Sequence, residues 1–360
     1  MKIAVGMSGG VDSSVAALLL KQAGFDIFGV TMKIWKGGDA DMNSAPRRHA
    51  CYSPGEEEEI QRAAEICQKL GIEHHVFDLS KEYDEIVLDY FRYEYKNGRT
   101  PNPCIVCNQR LKFGLLPMFA IDKIGADAFA TGHYARVSFD EKTKRYMLMK
   151  SHDNSKDQSY FLHRLTQDQL SKVHFPLGEM HKEDVRKLAK EMDIPSWNDP
   201  ESQDFYDGDY AELIGCAEEP GDIVGTDGKV LGQHQGIWNY TVGQRRGLGI
   251  AADRPLYVKS IEPKKKQVVV AYKEEVLRDS FFATEFNWVS FESISNEEEL
   301  SVKVRSSQKA YPCHAILLRD NTIRIVLDSP QGEIAAGQSA VLYKDELVIG
   351  GGVIEYNAPE

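Results

Sequence analysis

The chain begins KIAVGMSGGVDSSVAALLLKQAGF, and this order of strand, small-residue turn and helix restricts the fold more than any other stretch. Residues 2–5 read as a short apolar strand. Ser13 to Gln22 carries an apolar stripe at helical spacing and stops near Gly24. The alternation then repeats. FDIFGVTMKIW reads as a strand, EEEEIQRAAEICQKLGI as a helix, EHHVFDL as a strand, and IGADAFATGHYAR as another strand over 127–131. Strand and helix in turn predict an α/β domain with a mostly parallel sheet, whose ligands gather beyond the C-terminal strand ends.

Ser8–Ser13 (SGGVDS) occupies such an end. Gly9 and Gly10 let backbone amides approach an anion, Ser8 and Ser13 offer hydroxyls, and the following helix presents unpaired N–H groups. Asp12 is the odd member beside phosphates. It reads as a magnesium ligand or as a residue positioned by the turn. The plainer alternative is a helix cap made of small residues. A Walker lysine is missing, which excludes an ordinary ATPase loop.

The formal net charge of −12 argues against broad, non-specific nucleic-acid binding. Localised basic stretches remain at 257–266 (YVKSIEPKKK) and 302–309 (VKVRSSQK), equally readable as solvated strand faces. Nowhere does an apolar run approach the roughly 18 residues of a membrane span, and the start lacks a signal-peptide pattern. Six cysteines in 360 residues are too few for a disulfide scaffold, so a reducing cytoplasm is expected. There, the CxxC of Cys104 and Cys107 in NPCIVCN suggests metal binding or sulfur chemistry.

Further on, QLSKVHF and HKEDVRKLAKEMDI have helical spacing split by FPLG, and DGDYAELIGC reads as a short helix. From Gly221 the pattern turns to short strands, with a hairpin signal at Asp227-Gly228. The expected division is a catalytic domain at 1–200, a small strand-rich linking domain at 201–280, and a β-barrel-like domain at 281–360. Arg245 and Arg246 in GQRRGLG suit phosphate contacts, or carboxylate pairs fixing an interface.

SGGVDS in this setting resembles the PP-loop of enzymes that split ATP into AMP and pyrophosphate, with the adenine-nucleotide alpha hydrolase-like fold. GMSGGVDSSV, GRTPNPCIVCNQRLKF, ATGHYAR, KDQSYFL, FPLGEMHKEDVRKLA, GQHQGIWNYTVGQRRGLGI and SPQGEIAAGQSAVLY together resemble one family, the tRNA-specific 2-thiouridylases. That resemblance implies sulfur placed on C2 of the wobble uridine in tRNAs for Lys, Glu and Gln. ATP with Mg2+ would adenylylate the C2 oxygen, and an enzyme-bound persulfide would displace AMP. It further implies that Gly6, Met7, Ser8, Gly9, Gly10, Val11, Asp12 and Ser13 hold ATP, with Met32 at adenine and Gly132 beside the nucleotide. Asn102, Pro103, Cys104, Lys156, Asp157 and Gln158 would border the target base. Arg245, Arg246, Arg305 and Ser306 would meet the tRNA anticodon stem-loop, and Cys107 matches the nucleophile. Met32 could instead be core packing, His133 a turn residue bound to a carboxylate, and Lys156-Asp157-Gln158 a capped helix start. A persulfide or sulfide donor protein is the implied partner, and a monomer with no membrane association is expected.

Two departures matter. Where the family carries a second cysteine, this chain has Phe205-Tyr206, and where it commonly has Asp, this chain has Cys104. Three arrangements of the CxxC follow. Cys104 and Cys107 could share sulfur transfer, each depressing the other's pKa. They could anchor an iron–sulfur cluster with Cys51 or Cys216, or form half a zinc site. Cys51 precedes a helix start whose N–H groups would favour its thiolate, while Cys67 and Cys313 read as core. The second departure is Arg305-Ser306-Ser307-Gln308 in place of an Arg-Tyr-Arg-Gln run. Rival functions are a paralogue with altered sulfur or substrate chemistry, an ammonia- or amine-using ligase, and a non-catalytic tRNA-binding or sulfur-carrier protein.

Overall fold

In the computed structural model the described residues are 1–37, 50–198, 205–206, 208–215, 218–294, 299–319 and 321–358. Two compact units divide the chain. The first is Met1–Val87, Cys104–Asp207 and Glu346–Val348; the second is Leu88–Pro103, Gly208–Asp345 and Ile349–Glu360.

The strands of the first unit are β1 (Lys2–Gly6), β2 (Asp26–Lys33), β3 (His74–Asp78), β4 (Ala128–Ala130), β5 (Ala135–Asp140), β6 (Arg145–Lys150) and β7 (Val173–His174). Five of them form a parallel sheet in the order β3-β2-β1-β4-β7. Ile3, Ala4 and Val5 of β1 have no exposed surface, as expected of a central parallel strand covered on both faces. Helix α1 (Val11–Gln22) buries Val15, Ala16 and Leu20 in the core under the sheet, which the helix Lys182–Glu191 joins through Val185 and Ala189. Helix α2 (Glu56–Leu70) ends at Gly71, whose left-handed φ of 61° closes the turn. The carboxylate of Glu56 accepts the N–H groups of Ile34 (2.7 Å) and Trp35 (3.0 Å), pinning the chain just after β2.

The helical reading of QLSKVHF holds only for Gln167–Ser171. Val173–His174 is instead the sheet edge, because Phe129 N–H donates to Lys172 O (2.8 Å) and Thr131 N–H to His174 O (3.2 Å). Pairing with an existing strand overrides a two-residue helical preference. β5 and β6 make an antiparallel hairpin, with Met149 of β6 facing Leu347. The CxxC segment opens a run of helix: Pro103–Cys107 is α-helical, Asn108–Leu115 is wound as a π-helix, and Leu116–Ile124 is α-helical again.

The second unit holds two sheets. β8 (Gly221–Gly225), β9 (Val230–His234), β10 (Leu256–Glu262) and β11 (Gln267–Tyr272) form the smaller one, in the order β10-β11-β8-β9. Its β8–β9 turn is the Asp227-Gly228 hairpin, with Gly228 at φ 80°. β12 (Arg278–Trp288), β13 (Leu300–Lys303), β14 (Tyr311–Leu317), β15 (Ile323–Gln331), β16 (Ser339–Lys344) and β17 (Leu347–Glu355) follow as β12-β15-β14-β13-β16-β17. A β12–β17 pairing closes them into a barrel. Alternate residues such as Ile323, Ile325 and Leu327 fill the interior, and closure pairs the first barrel strand with the last.

The loop before the CxxC helix is fixed within this second unit. Arg99 pairs with Glu94 and Glu355 at 2.6 Å each, and Gln338 donates to the carbonyls of Thr100 (3.0 Å) and Pro101 (2.9 Å).

Candidate active site

Strand order reverses between β1 and β4 in the sheet of the first unit, since β2 and β3 lie to one side and β7 to the other. The crevice beyond such a reversal is where open α/β sheets bind ligands. SGGVDS runs from the end of β1 into α1 at this point. Ser13 Oγ accepts from Ser8 N–H (3.2 Å) and donates to Gly10 O (3.1 Å), while Ser14 Oγ donates to the same carbonyl at 2.8 Å. Gly10, the N-cap of α1, makes no side-chain cap hydrogen bond, so the first-turn amides stay available to an anion. Gly9 sits at φ +74°, and a Cβ there would lie 2.7 Å from Glu59 O of α2. On the opposite wall, a Cβ on Gly132 would lie 2.6 Å from Asp12 C and 2.7 Å from Ser13 N. Only glycine lets the end of β4 lie against the first turn of α1.

Asp12 is engaged from two sides. Lys182 Nζ lies 2.7 and 2.8 Å from its carboxylate oxygens, and the Tyr134 hydroxyl donates to Oδ1 at 2.8 Å. Lys182 is only 6% exposed. These partners, Lys182 and Tyr134, come from distant segments rather than from the turn that the sequence suggested would position Asp12. Tyr134 is itself held by Gln158, whose Oε1 accepts its N–H (2.9 Å) and whose N–H donates to its carbonyl (2.8 Å). Asp157 accepts from Ser151 N–H, Ser159 N–H and the Ser159 hydroxyl, ordering the turn at Lys156-Asp157-Gln158.

The thiols form a second feature of this unit. Cys104 and Cys107 are one helical turn apart and so share a face. Burial pushes the Cys107 thiol up to about 11, against the opposing pull of the Lys112 ammonium. Mutual depression of the CxxC thiols is therefore not seen at Cys107, because desolvation outweighs the nearby cation. Cys51 stands five residues before the start of α2. Burial of its sulfur raises the Cys51 thiol, although the residue as a whole is exposed, and Lys112 opposes that shift. Cys67 and Cys313 are core residues, each pushed up to about 12 by burial.

Lys112 acts electrostatically on Cys107, on Cys51 and on His133 at the end of β4. His133 bonds the Thr131 hydroxyl at 2.8 Å, rather than a carboxylate, and burial followed by Lys112 holds it well below the usual imidazole range. Glu59 of α2, beside Gly9, is raised to about 7 by burial, with Arg62 opposing.

The remaining sequence candidates fall as follows. Gly6, Met7 and Val11 flank the loop, and Met32 is half-buried in β2. Asn102 and Pro103 belong to the second unit, as do Arg245, Arg246, Arg305 and Ser306. Arg245 and Arg246 are exposed, and Arg245 lines a cavity of about 490 Å³ with Arg254 and Asp253. Arg305 donates to Val242 O at 3.0 Å, and Ser306 O accepts from Lys303 at 3.4 Å. Cys216 lies outside the described residues. Among the described residues, no group of three or more His, Cys, Asp or Glu is arranged to hold a metal ion, which gives the cluster and zinc arrangements no support. Sequence reasoning missed Lys182, Tyr134 and Lys112, which lie inside quoted family stretches, but nothing local marks their roles.

Three family models match the chain: the tRNA methyl transferase HUP domain over residues 1–206, the tRNA methyl transferase PRC-barrel domain over 214–272, and the aminomethyltransferase beta-barrel domain over 278–354. The tRNA-specific 2-thiouridylase MnmA of Endomicrobium trichonymphae is 46% identical, across 98% of this chain and 99% of that protein. MnmA 2 of Thermoanaerobacter sp. (strain X514) is 44% identical over 98% of each. The Rippkaea orientalis tRNA-specific 2-thiouridylase MnmA is 41% identical over 98% of this chain and 99% of its own. With identity of this order from end to end, this chain belongs to the tRNA-specific 2-thiouridylase family.

Proposed function

We infer that the chain is an ATP-dependent tRNA 2-thiouridylase, replacing O2 of the wobble uridine with sulfur and releasing AMP and pyrophosphate. The observation that carries this reading is that one unit holds both a glycine- and serine-lined turn at the sheet reversal, suited to phosphates, and the thiols of the CxxC helix. A methyl transfer would need no cradle for ATP phosphates.

The chemistry follows from the substrate. A uracil carbonyl oxygen leaves poorly until it becomes a phosphate ester. MgATP enters as substrate, its magnesium neutralising phosphate charge. Residues 6–13 hold the phosphates through backbone amides and the Ser8 and Ser13 hydroxyls, with Gly132 as the opposite wall. Lys182, bound to Asp12, brings positive charge to the loop in place of a Walker lysine. Met32 is assigned to the adenine, and Asn102, Pro103, Lys156, Asp157 and Gln158 to the surroundings of the base. Cys107 is assigned as the sulfur nucleophile, its burial excluding water from a reactive adenylate.

The division of labour proposed is catalysis at 1–200, linkage at 201–280, and tRNA grip by the barrel at 281–360. Arg245, Arg246, Arg305 and Ser306 serve phosphate contacts to the anticodon stem-loop of tRNAs for Lys, Glu and Gln. A persulfide-carrying protein supplies the sulfur, and the enzyme works as a monomer. No described helix is long and apolar enough to cross a membrane.

The test is nucleoside mass spectrometry of tRNA incubated with the protein, MgATP and a persulfide source. Formation of 2-thiouridine at the wobble position is expected; ATP cleavage without thiolation would sink the reading.

A further inference from the structure

Directly after Cys107 the backbone changes its winding. Asn108–Leu115 is a π-helix, and Cys107 is its N-cap. Such winding is uncommon and seldom runs past one turn, so eight residues of it call for an outside hold. The hold comes from the stretch 161–169. Asn108 Nδ2, at the first π residue, donates to Phe161 O at 3.2 Å. The Gln169 amide reaches further in. Its Nε2 donates to Gln109 O at 2.8 Å and to Phe113 O at 3.0 Å, so one amide ties together carbonyls of adjacent turns. Its Oε1 accepts Thr166 N–H at 3.0 Å, within the capping box that starts Gln167–Ser171, and this fixes the amide from its other side. Gly114 leaves room for the contact: a Cβ there would lie 3.0 Å from Gln109 O and 3.9 Å from Gln169 Nε2. All of these residues belong to the first unit.

The winding decides which side chains share a face with Cys107. With α spacing, a residue five positions further on stands about 140° around the helix axis. With π spacing, whose hydrogen bonds span five positions, the same residue comes round to about one full turn. Five positions on from Cys107 is Lys112, half-buried in the π stretch. The pull of its ammonium on the Cys107 thiol agrees with that placement.

Taking Cys107 as the nucleophile inferred above, we propose that Gln169 is a positioning residue for sulfur transfer, clamping the π-winding that brings Lys112 round to the sulfur's side of the helix. A cation held there favours thiolate over thiol, and the thiolate is the form that takes up and delivers sulfur. Released from the amide, the segment relaxes toward α spacing and carries Lys112 away from the sulfur.

The test is iodoacetamide labelling of Cys107 in the full-length protein from about pH 7 to pH 10, read by peptide mass spectrometry. Gln169→Leu keeps the bulk of the side chain and removes the amide. Its labelling rate near pH 8 is expected to fall at least threefold below wild type, with the profile moved to higher pH. In a Lys112→Met background the same change is expected to alter the rate by less than twofold, because the cation it positions is already gone. A general loosening of the fold would act alike in both backgrounds. Thr166→Ala breaks the other half of the capping box with the amide in place, and is expected to keep the wild-type profile. Gly114→Ala crowds the same carbonyl from within the helix and gives the same readout if Gln169→Leu does not fold. A smaller fall in Gln169→Leu, a twofold or greater change in the Lys112→Met background, or an equal fall in Thr166→Ala would overturn the proposal. None of these readouts uses tRNA. A Cys107→Ser protein that still forms 2-thiouridine would count instead against the role inferred above for Cys107.

Discussion

Lys182 and Asp12 are 170 residues apart in sequence, yet the Lys182 ammonium lies 2.7 and 2.8 Å from the two carboxylate oxygens of Asp12, at the first turn of α1. The pair ties the helix Lys182–Glu191 to the phosphate loop. The two partners differ in exposure, with side chains 7% and 29% exposed. Asp12→Ala leaves a buried ammonium without its carboxylate and should cost about 3 kcal/mol. Lys182→Met leaves a carboxylate that water and Tyr134 still reach, and should cost roughly 1–2 kcal/mol. Urea unfolding of both variants checks the order; a larger loss for Lys182→Met would refute it.

Gly132→Ala should harm both stability and nucleotide binding. The added methyl meets backbone atoms of Asp12 and Ser13 at 2.6–2.8 Å, which cannot swing aside as a flexible side chain would. Overpacking of this kind costs about 1–3 kcal/mol. Because the displaced atoms belong to the phosphate loop, affinity for a non-hydrolysable ATP analogue should fall by more than the stability loss alone explains. Calorimetric titration of folded protein measures this directly.

Cys107 should alkylate slowly at neutral pH. With its thiol pushed up to about 11 by burial, the reactive thiolate grows about tenfold per pH unit until near that value. Lys112 pulls the other way, so Lys112→Met should slow alkylation further at every pH below the plateau. Timed iodoacetamide labelling followed by peptide mass spectrometry gives both profiles. Equal rates in the two proteins would remove Lys112 from the account.

Acid should destabilise the first unit through His163. This imidazole is fully buried, its Nδ1 bonds Tyr160 O at 2.9 Å, and burial lowers its pKa to about 3. The unfolded chain takes up the proton near pH 6.5 while the folded chain refuses it until about pH 3. Stability from this group is therefore complete above pH 6.5 and is lost as pH falls through that window. The total is on the order of 5 kcal/mol. His163→Gln should flatten the pH dependence of denaturant unfolding between pH 6.5 and 4, whatever it does to stability at pH 7.

Much of the α/β unit was legible because its signals are local. Strand, SGGVDS and helix adjoin in the chain, so β1, the loop and α1 could be placed before any tertiary contact was known. The Asp227-Gly228 hairpin was readable for the same reason, since a glycine at positive φ carries its own turn preference. Val173–His174 was not, because its strand character comes from β4 rather than from its own residues.

The site divides along the same line. By itself, the sequence determined the phosphate loop, the pair Cys104 and Cys107 on one helical turn, and membership of a sulfur-transfer family. Tertiary structure alone decided that Asp12 answers to Lys182 and Tyr134, and that Lys112 acts on Cys107 and Cys51. Periodicity and turn chemistry report what a residue does to its near neighbours. Charge pairing and thiol access depend on which distant segments the sheet order brings together, and on how much water the packing leaves between them.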